Sequence, residues 1–168
     1  MRSEGGLGEA VFLTGFVASG KTTVGRLLAL RLDVPFVDLD DRVAEMSGMT
    51  VPQIFTRLGE PAFRRMEREA LASLAVTSPA VVALGAGAVP PPEALVVCLK
   101  ATIDETLRRL TWGPVRPLVA GTTDVREEVE RLLSARAERY RRAALTIETT
   151  ARSPEAVAEE IETWIRSR

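Results

Sequence analysis

Eight consecutive residues near the start of the chain form a phosphate-binding pattern. Residues 15–22, with the sequence GFVASGKT, match the spacing G-x-x-x-x-G-K-[ST]. In this arrangement backbone N–H groups surround phosphate oxygens, the lysine contacts the outer phosphates of a nucleotide, and the next hydroxyl binds Mg²⁺. The alternative is a glycine-containing turn with an exposed lysine, but the chain has only two lysines, so a chance match is rare. The predicted phosphate-binding residues are Gly15, Ala18, Ser19, Gly20, Lys21, Thr22 and Thr23.

Two carboxylates form the next candidate group. Asp38 and Asp40 follow a short apolar run, and the carboxyl ends of parallel strands would share one sheet edge with the phosphate loop. One carboxylate there can bind Mg²⁺ through water, and another can accept the proton of an attacking hydroxyl group. Aspartate at this position is also a common N-cap of a following helix, and each residue can do one of these tasks. The sequence leaves this division open.

Glycines and arginines supply the remaining candidates. Residues 85–87 (GAG) follow another apolar run, where glycines let the backbone approach a ligand, although a simple tight turn is equally compatible. Arg116 lies beside Pro117 in a stretch without helical period, from which a lid arginine can reach a transferring phosphoryl group. Arg64 and Arg136 lie on heavily charged helical stretches, so each taken alone is better explained as a solvated residue.

The composition excludes several kinds of chemistry. The 168 residues include no histidine and one cysteine, Cys98, which rules out histidine-dependent triads, histidine-ligated metals and an internal disulfide. The 22 basic and 23 acidic residues nearly balance, without the basic excess typical of proteins that bind nucleic acids or membrane surfaces. The chemistry must therefore rest on carboxylates, arginine, lysine, hydroxyl groups, backbone groups or a bound ion.

Short apolar runs alternate with amphipathic stretches along the chain and provide a scaffold for these candidates. Continuous apolar runs indicate strands buried on both faces, and their alternation with helices is typical of a parallel sheet. We predict a three-layer α/β/α fold with a five-stranded parallel sheet. The predicted strands are 10–14, 34–38, 80–84, 95–99 and 145–148, and the predicted helices are 22–32, 40–46, 51–58, 61–75, 103–110, 125–142 and 154–166.

The length fits one domain. We expect a loose polar tail over residues 1–9, a single domain over residues 10–168, and a lid loop over about residues 111–124, which contain two prolines and two glycines. No stretch approaches the roughly 20 apolar residues of a membrane-spanning helix. Glu4 and Glu9 precede only a very short apolar run, which does not match a signal peptide. A cytoplasmic, soluble protein is the default expectation.

Six motifs occur in a fixed order along the chain. They are the phosphate loop, Asp38-x-Asp40, Phe63-Arg64-x-x-Glu67, Gly85-x-Gly87, Arg116-Pro117-Leu118, and Arg136 followed by Tyr140. Their joint order resembles the shikimate kinase family and extends from about Ala10 to Ile165. Nucleoside monophosphate kinases and gluconate kinases share the phosphate loop but not this set of aspartates and arginines.

The resemblance implies a fold like that of nucleoside monophosphate kinases and other P-loop NTPases. It also implies ATP-dependent phosphorylation of the 3-hydroxyl group of shikimate, on the route to chorismate and the aromatic amino acids, with Mg²⁺ bound. Asp40 would accept or orient the hydroxyl proton, while Thr22 would bind Mg²⁺ directly and Asp38 through water. Lys21 and Arg116 would stabilise charge on the transferring phosphoryl group.

The same resemblance assigns the two ends of the site. Arg64 and Arg136 would bind the shikimate carboxylate, which suits a guanidinium group. Arg109 and Arg152 would flank the adenine of ATP. We also expect a monomer with no nucleic-acid or membrane partner. The backbone N–H groups that would help to hold shikimate belong to Gly85, Ala86 and Gly87.

Three features depart from the family pattern. Ala86 stands where the family usually has a glycine, and its methyl group would crowd the substrate if its φ were positive. Ala18 also replaces a usual glycine in the phosphate loop. The segment from Val89 to Val96 is short, so we expect a turn around Pro90 to Glu93 instead of a helix.

Two other functions stay open at the sequence level. One is a kinase for another small hydroxyl compound, such as gluconate or a nucleotide, and the feature that discriminates against it is the pair Arg64 and Arg136 converging on a carboxylate. The other is a nucleotide-binding regulator with weak activity. Ala86 is the main reason to consider it, because its methyl group would crowd the substrate pocket.

Overall fold

Strands and helices alternate along the chain, as the hydrophobic pattern predicts. The computed structural model describes residues 8–74, 78–85, 87–112 and 124–168, and within them five strands and six helices. The strands are β1 (Ala10–Gly15), β2 (Phe36–Asp38), β3 (Ala80–Ala83), β4 (Leu95–Lys100) and β5 (Leu145–Glu148). The helices are α1 (Lys21–Leu32), α2 (Leu39–Ser47), α3 (Val51–Ala72), α4 (Ile103–Trp112), α5 (Val125–Arg141) and α6 (Pro154–Arg166).

The strands form one parallel sheet in the order β2-β3-β1-β4-β5. β1 lies at the centre, where Val11 is opposite Val81 on one side and Leu95 on the other. Because all the strands run the same way, their carboxyl ends meet at one edge of the sheet, where ligands bind in folds of this kind. The predicted five-stranded parallel sheet is confirmed.

Two hydrophobic cores lie on opposite faces of the sheet. Val11 and Leu13 pack with apolar residues of α1 and α6, whereas Phe12 packs with those of α2 and α3. All three strand residues are fully buried, which explains why β1 is a continuous apolar run rather than an alternating one. Helices on both faces give the predicted three-layer α/β/α architecture.

The long helix α3 bends at Gly59. The backbone there is not helical, with φ 81° and ψ 169°, and Pro61 follows. Thr50 caps the N-terminus in a capping box with Gln53. The break separates the two predicted helices 51–58 and 61–75, although the second ends at Ala72. Its later part carries Arg64 towards the sheet edge.

Other predictions about organisation have mixed outcomes. The segment between Val89 and Val96 contains no helix, and Ala94 donates to the carbonyl oxygen of Pro91 across a short turn, as expected. The predicted tail over residues 1–9 and the lid over residues 111–124 lie mostly outside the described residues, so both stay predictions. Within the described ranges, no helix has the length and apolar character needed to cross a membrane.

Candidate active site

The phosphate loop joins β1 to α1, as its motif predicts. The Lys21 ammonium group donates to the backbone carbonyl oxygens of Gly15, at 3.0 Å, and Phe16, at 2.8 Å. Gly20 is the N-cap of α1 with φ 99°, a left-handed conformation that glycine adopts without steric cost. The lysine therefore starts the helix and lies across the loop, beside the position that phosphates would occupy.

The N-terminus of α1 is suited to an anion. No side chain caps it and no acidic residue lies in its first turn. No carboxylate of the helix itself therefore neutralises the first N–H groups or the positive end of the helix dipole. The Ser19 hydroxyl is buried and has no hydrogen-bond partner among the described residues. A buried polar group without a partner is costly unless a ligand satisfies it. These observations fit the phosphate groups of a nucleotide.

Ala18 has a left-handed backbone with φ 62°. This conformation is unfavourable for a residue with a side chain, which gives a physical reason for a glycine at this position in the family pattern. The backbone carbonyl oxygen of Ala18 accepts a 3.1 Å hydrogen bond from Arg109. The loop is thus held in this shape by a side chain from α4.

Asp38, and not Asp40, is the N-cap of the following helix, which answers one of the questions that the sequence left open. Asp38 is the N-cap of α2, because its Oδ1 accepts a 3.1 Å hydrogen bond from the backbone N–H of Asp40. Its other oxygen, Oδ2, accepts a 2.8 Å hydrogen bond from the Thr22 hydroxyl. Asp40 lies in the first turn of α2 and lines the same cavity as Lys21. The cap is therefore Asp38, and the Asp40 side chain is not needed for it.

Gly85 brings two carboxylates together after β3. A Cβ atom at Gly85 would collide with Oε1 of Glu67 and lie 2.9 Å from Oδ1 of Asp40. Glu67 is only 3% exposed, and its Oε1 has no hydrogen-bond partner among the described residues. Its other oxygen accepts a 3.0 Å hydrogen bond from Arg64. Asp40, Glu67 and Arg64 thus surround the backbone that follows β3.

Arg64 is held in place and is not a freely solvated residue. Its side chain is 23% exposed, pairs with Glu67 and Glu60, and lies 5.3 Å from the ring centroid of Phe63. Burial acts to lower the pKa of Arg64, but attraction to and hydrogen bonds with Glu67 and Glu60 together raise it. The guanidinium group also lies against Gly87, where a Cβ atom would collide with it. The solvated-face alternative is therefore wrong for Arg64.

Arg136 on α5 is a buried cation. The residue is 9% exposed and lies close to the neutral Tyr140 hydroxyl, but its Nη1 is buried with no hydrogen-bond partner, and no carboxylate pairs with it, among the described residues. Its guanidinium carbon lies 5.4 Å from the ring centroid of Phe16, a residue of the phosphate loop. A buried arginine is normally paired, so an anion is expected to complete this site. The solvated-face alternative is also wrong for Arg136.

Arg109 and Arg152 lie at the opposite end of the site. Arg109 donates to Thr149, both to the hydroxyl at 3.1 Å and to the carbonyl oxygen at 2.9 Å, and pairs with Glu105 at 2.7 Å. Hydrogen bonds from Arg108 and Arg109 lower the pKa of Glu105 to about 2. Arg152 pairs with Glu160 at 2.6 Å. Their role beside an adenine stays a prediction, since no ligand contact tests it.

A cavity of about 700 Å³ connects most of these residues. Gly15, Arg64, Gly87 and Arg136 are not among its lining residues. Arg64 and Gly87 lie near its Asp40 end, because Arg64 bonds Glu67, which meets Asp40 at Gly85. Arg116 and Ala86 lie outside the described residues, so their roles stay predictions. The predicted site residues that line the cavity are Ala18, Ser19, Gly20, Lys21, Thr22, Thr23, Asp38, Asp40, Gly85, Arg109 and Arg152.

Sequence patterns missed two side chains of this site. Thr149 is 3% exposed and follows β5, and its hydroxyl bonds Arg109 and the carbonyl oxygens of Ser19 and Lys100. Its place after a predicted strand was the one available signal. Arg139 donates a 2.9 Å hydrogen bond to the carbonyl oxygen of Gly87, and no sequence pattern distinguished it from neighbouring arginines.

The fold and the site together define a class of protein. A phosphate loop between a parallel strand and a helix, with carboxylates and arginines around one cavity, is the arrangement of a P-loop phosphotransferase. Comparison with known proteins then gives the family. A sequence model described as shikimate kinase matches residues 17–166. The chain belongs to the shikimate kinase family, whose members phosphorylate shikimate with ATP in aromatic amino acid biosynthesis.

Individual relatives agree with this assignment. The chain is 42% identical to a shikimate kinase of Geobacter sulfurreducens, over 95% of this chain and 92% of that one. It is 40% identical to a shikimate kinase of Thermus thermophilus, over 90% and 86%. The shikimate kinase of Acinetobacter baumannii, solved in complex with shikimate, matches with a TM-score of 0.86 and 32% identity, over 95% of this chain and 93% of that one.

Proposed function

We propose that this chain transfers the terminal phosphoryl group of ATP to the 3-hydroxyl group of shikimate. The observation that carries the proposal is Arg136, a buried cation whose Nη1 has no partner among the described residues and which lies beside the phosphate loop. A small anionic acceptor would neutralise it next to the transferred phosphate. The complex of the Acinetobacter baumannii relative supports shikimate as that acceptor.

The nucleotide would bind at the phosphate loop. Ser19 and the uncapped first turn of α1 supply donors for phosphate oxygens, and Lys21 lies across the loop within reach of the outer phosphates. We propose that Arg109 and Arg152 flank the adenine, because both line the cavity beyond the loop. Their ion pairs with Glu105 and Glu160 would fix their positions before the nucleotide binds.

Thr22 and Asp38 fit a magnesium site. Their oxygen atoms are 2.8 Å apart, and hydroxyl and carboxylate oxygens are the ligands that Mg²⁺ prefers. We propose that the Thr22 hydroxyl binds the ion directly and Asp38 through water. Bound Mg²⁺ would neutralise negative charge on the β- and γ-phosphate groups.

The acceptor side would orient and deprotonate the hydroxyl group. In the proposed step the shikimate oxygen forms a bond to the γ-phosphorus while the bond from that phosphorus to the bridging oxygen of ADP breaks. Asp40 accepts the hydroxyl proton, and Arg64 with Arg136 binds the substrate carboxylate through charge-assisted hydrogen bonds. Positioning of this kind, rather than covalent catalysis, dominates phosphoryl transfer.

Other parts of the proposal rest on the family resemblance. Arg116 would close over the phosphoryl group from the predicted lid, and backbone N–H groups of Gly85, Ala86 and Gly87 would contact shikimate. We also propose a cytoplasmic enzyme that works as a monomer on two small molecules, which gel filtration and fractionation would test.

An acceptor panel tests the function. ADP release is measured with ATP, Mg²⁺ and one acceptor at a time: shikimate, gluconate or a nucleoside monophosphate. We expect turnover with shikimate at least about a hundredfold above the other acceptors. The shikimate ring holds its carboxylate at a fixed distance from the 3-hydroxyl group, whereas gluconate is a flexible open chain and a nucleoside monophosphate has no carboxylate for the two arginines. Turnover with gluconate or a nucleotide but not shikimate would overturn the proposal, as would nucleotide binding without turnover of any acceptor.

A further inference from the structure

Gly87 lies between two arginines from different helices. The guanidinium group of Arg64 on α3 packs against its Cα, so that a side chain at Gly87 would collide with it. From the other side, Nη1 of Arg139 on α5 donates a 2.9 Å hydrogen bond to the Gly87 carbonyl oxygen. Residues far apart in sequence thus meet at one backbone position beside the proposed acceptor site.

The peptide group between Gly87 and Ala88 is fixed at both ends. Its carbonyl oxygen accepts from Arg139, and its N–H donates a 3.0 Å hydrogen bond to the carbonyl oxygen of Gly85. A peptide group is planar, so two opposed hydrogen bonds fix its orientation. Gly85 in turn packs against the carboxylates of Asp40 and Glu67. Arg139 therefore restrains the turn that packs against these two acids at Gly85 and against Arg64 at Gly87.

Arg139 differs from the other arginines at the end of α5. Arg141 is exposed and pairs with Glu138, and Arg142 is exposed after the last turn. Arg139 is half-buried and, within the described part of the chain, bonds a backbone carbonyl and no carboxylate. It follows Arg136 by three residues, and side chains three apart share a face of a helix. Two positive charges of α5 thus lie on the side of the proposed carboxylate site.

We propose that Arg139 is a positioning residue for the acceptor substrate. By holding the Gly87 peptide, it keeps the turn and the Arg64 guanidinium at the spacing that the substrate carboxylate needs, and its own charge adds to the attraction. This inference rests on the proposed function, because it assumes an acceptor with a carboxylate bound between Arg64 and Arg136. Arg139 itself need not touch the substrate.

The test compares three variants with the unmodified chain in the ADP-release assay. Arg139→Met keeps much of the side-chain volume but removes the hydrogen-bond donor and the charge. We therefore expect KM for shikimate to rise about tenfold, while KM for ATP and kcat stay within about twofold of their values in the unmodified chain. Arg139→Lys retains a charged donor and should recover part of this loss. Arg142→Met, which removes an exposed charge from the same helix end, should leave every constant unchanged.

The outcomes separate the inference from the function on which it rests. No shikimate turnover by the unmodified chain would overturn the proposed function. Shikimate turnover with an unchanged KM in Arg139→Met, or an equal rise in Arg142→Met, would overturn the role of Arg139 alone. A lower melting temperature with equal changes in both KM values would show a structural role and also overturn it. A selective rise in KM for shikimate with partial recovery in Arg139→Lys would support the inference.

Discussion

The Thr22 hydroxyl donates a 2.8 Å hydrogen bond to Oδ2 of Asp38, which links the first turn of α1 to the end of β2. β2 is separated from β1 by β3, so this contact crosses the carboxyl end of β3. The same carboxylate caps α2 through the N–H of Asp40. One aspartate therefore joins the phosphate loop to the helix that carries the proposed base.

This link predicts a specific effect of removing the Thr22 hydroxyl. Thr22→Val keeps the shape of the side chain but removes an oxygen ligand, so we expect the Mg²⁺ concentration for half-maximal activity to rise about tenfold. Thr22→Ser retains the hydroxyl and should restore the original requirement. Titration of Mg²⁺ in the ADP-release assay measures both variants. An unchanged Mg²⁺ requirement in Thr22→Val would remove the hydroxyl from the metal site.

Much of the fold could be predicted because the sheet is buried on both faces. β1 is a continuous apolar run for that reason, and both termini of α6 were predicted because Ser153 caps it and Pro154 opens it. β2 is shorter than predicted because the N–H groups before Phe36 take no part in the sheet, although the carbonyl oxygen of Pro35 accepts a 2.9 Å hydrogen bond from Val81 of β3. Val34 donates to α1, at the carbonyl oxygen of Ala29, and Pro35 has no N–H to donate to a strand.

The site was less predictable where two residues in contact are far apart in the sequence. The phosphate loop is a local motif, so its residues were predicted together. The choice of Asp38 rather than Asp40 as the N-cap could not be predicted, because both residues lie at the start of the same helix. The contacts of Arg139 with Gly87 and of Thr149 with the phosphate loop join residues 52 and 130 positions apart. No local pattern encodes such contacts, which arise from packing of α5 and β5 against the rest of the fold.

The two lysines provide a matched pair of variants. Lys21 lies on the phosphate loop, whereas Lys100 is exposed at the end of β4 and its backbone oxygen bonds Thr149. Lys21→Ala should lower kcat by about a hundredfold or more, because it removes charge that stabilises the transferring phosphoryl group. Lys100→Ala should retain full activity. Near-normal kcat in Lys21→Ala would contradict the assignment of the phosphate loop.

Asp40 and Glu45 provide a second matched pair, since both are acidic residues of α2 and only Asp40 lines the cavity. Asp40→Asn removes the proposed proton acceptor, so we expect kcat to fall about a hundredfold. The melting temperature should change little, because the cap of the helix is Asp38. Glu45→Gln, at an exposed position that does not line the cavity, should leave kcat unchanged. Equal rates for Asp40→Asn and the unmodified chain would show that Asp40 takes no part in proton transfer.

Removal of Arg136 should weaken the binding of shikimate and leave the binding of ATP nearly unchanged. Arg136→Ala is expected to raise KM for shikimate by about a hundredfold, the cost of a lost charge-assisted hydrogen-bond pair, with KM for ATP changed by less than about threefold. Arg131→Ala on the same helix removes an exposed arginine paired with Glu128 and serves as the control. Initial rates at varied concentrations of each substrate provide the measurement. Equal rises in the two KM values would exclude a substrate-specific role for Arg136.

Cys98 should make folding stability depend on alkaline pH. The thiol is 0% exposed, and burial raises its pKa to about 11, although the charges of Lys100 and Lys21 act in the opposite direction. An unfolded thiol loses its proton near pH 9. The free energy of unfolding should therefore fall between about pH 9 and pH 11, by up to about 1.4 kcal/mol per pH unit from this group. Denaturant unfolding of the unmodified chain and of Cys98→Val isolates this contribution, since other titrating groups are shared. Identical pH dependence in the two proteins would show that the native thiol titrates as it does in the unfolded chain.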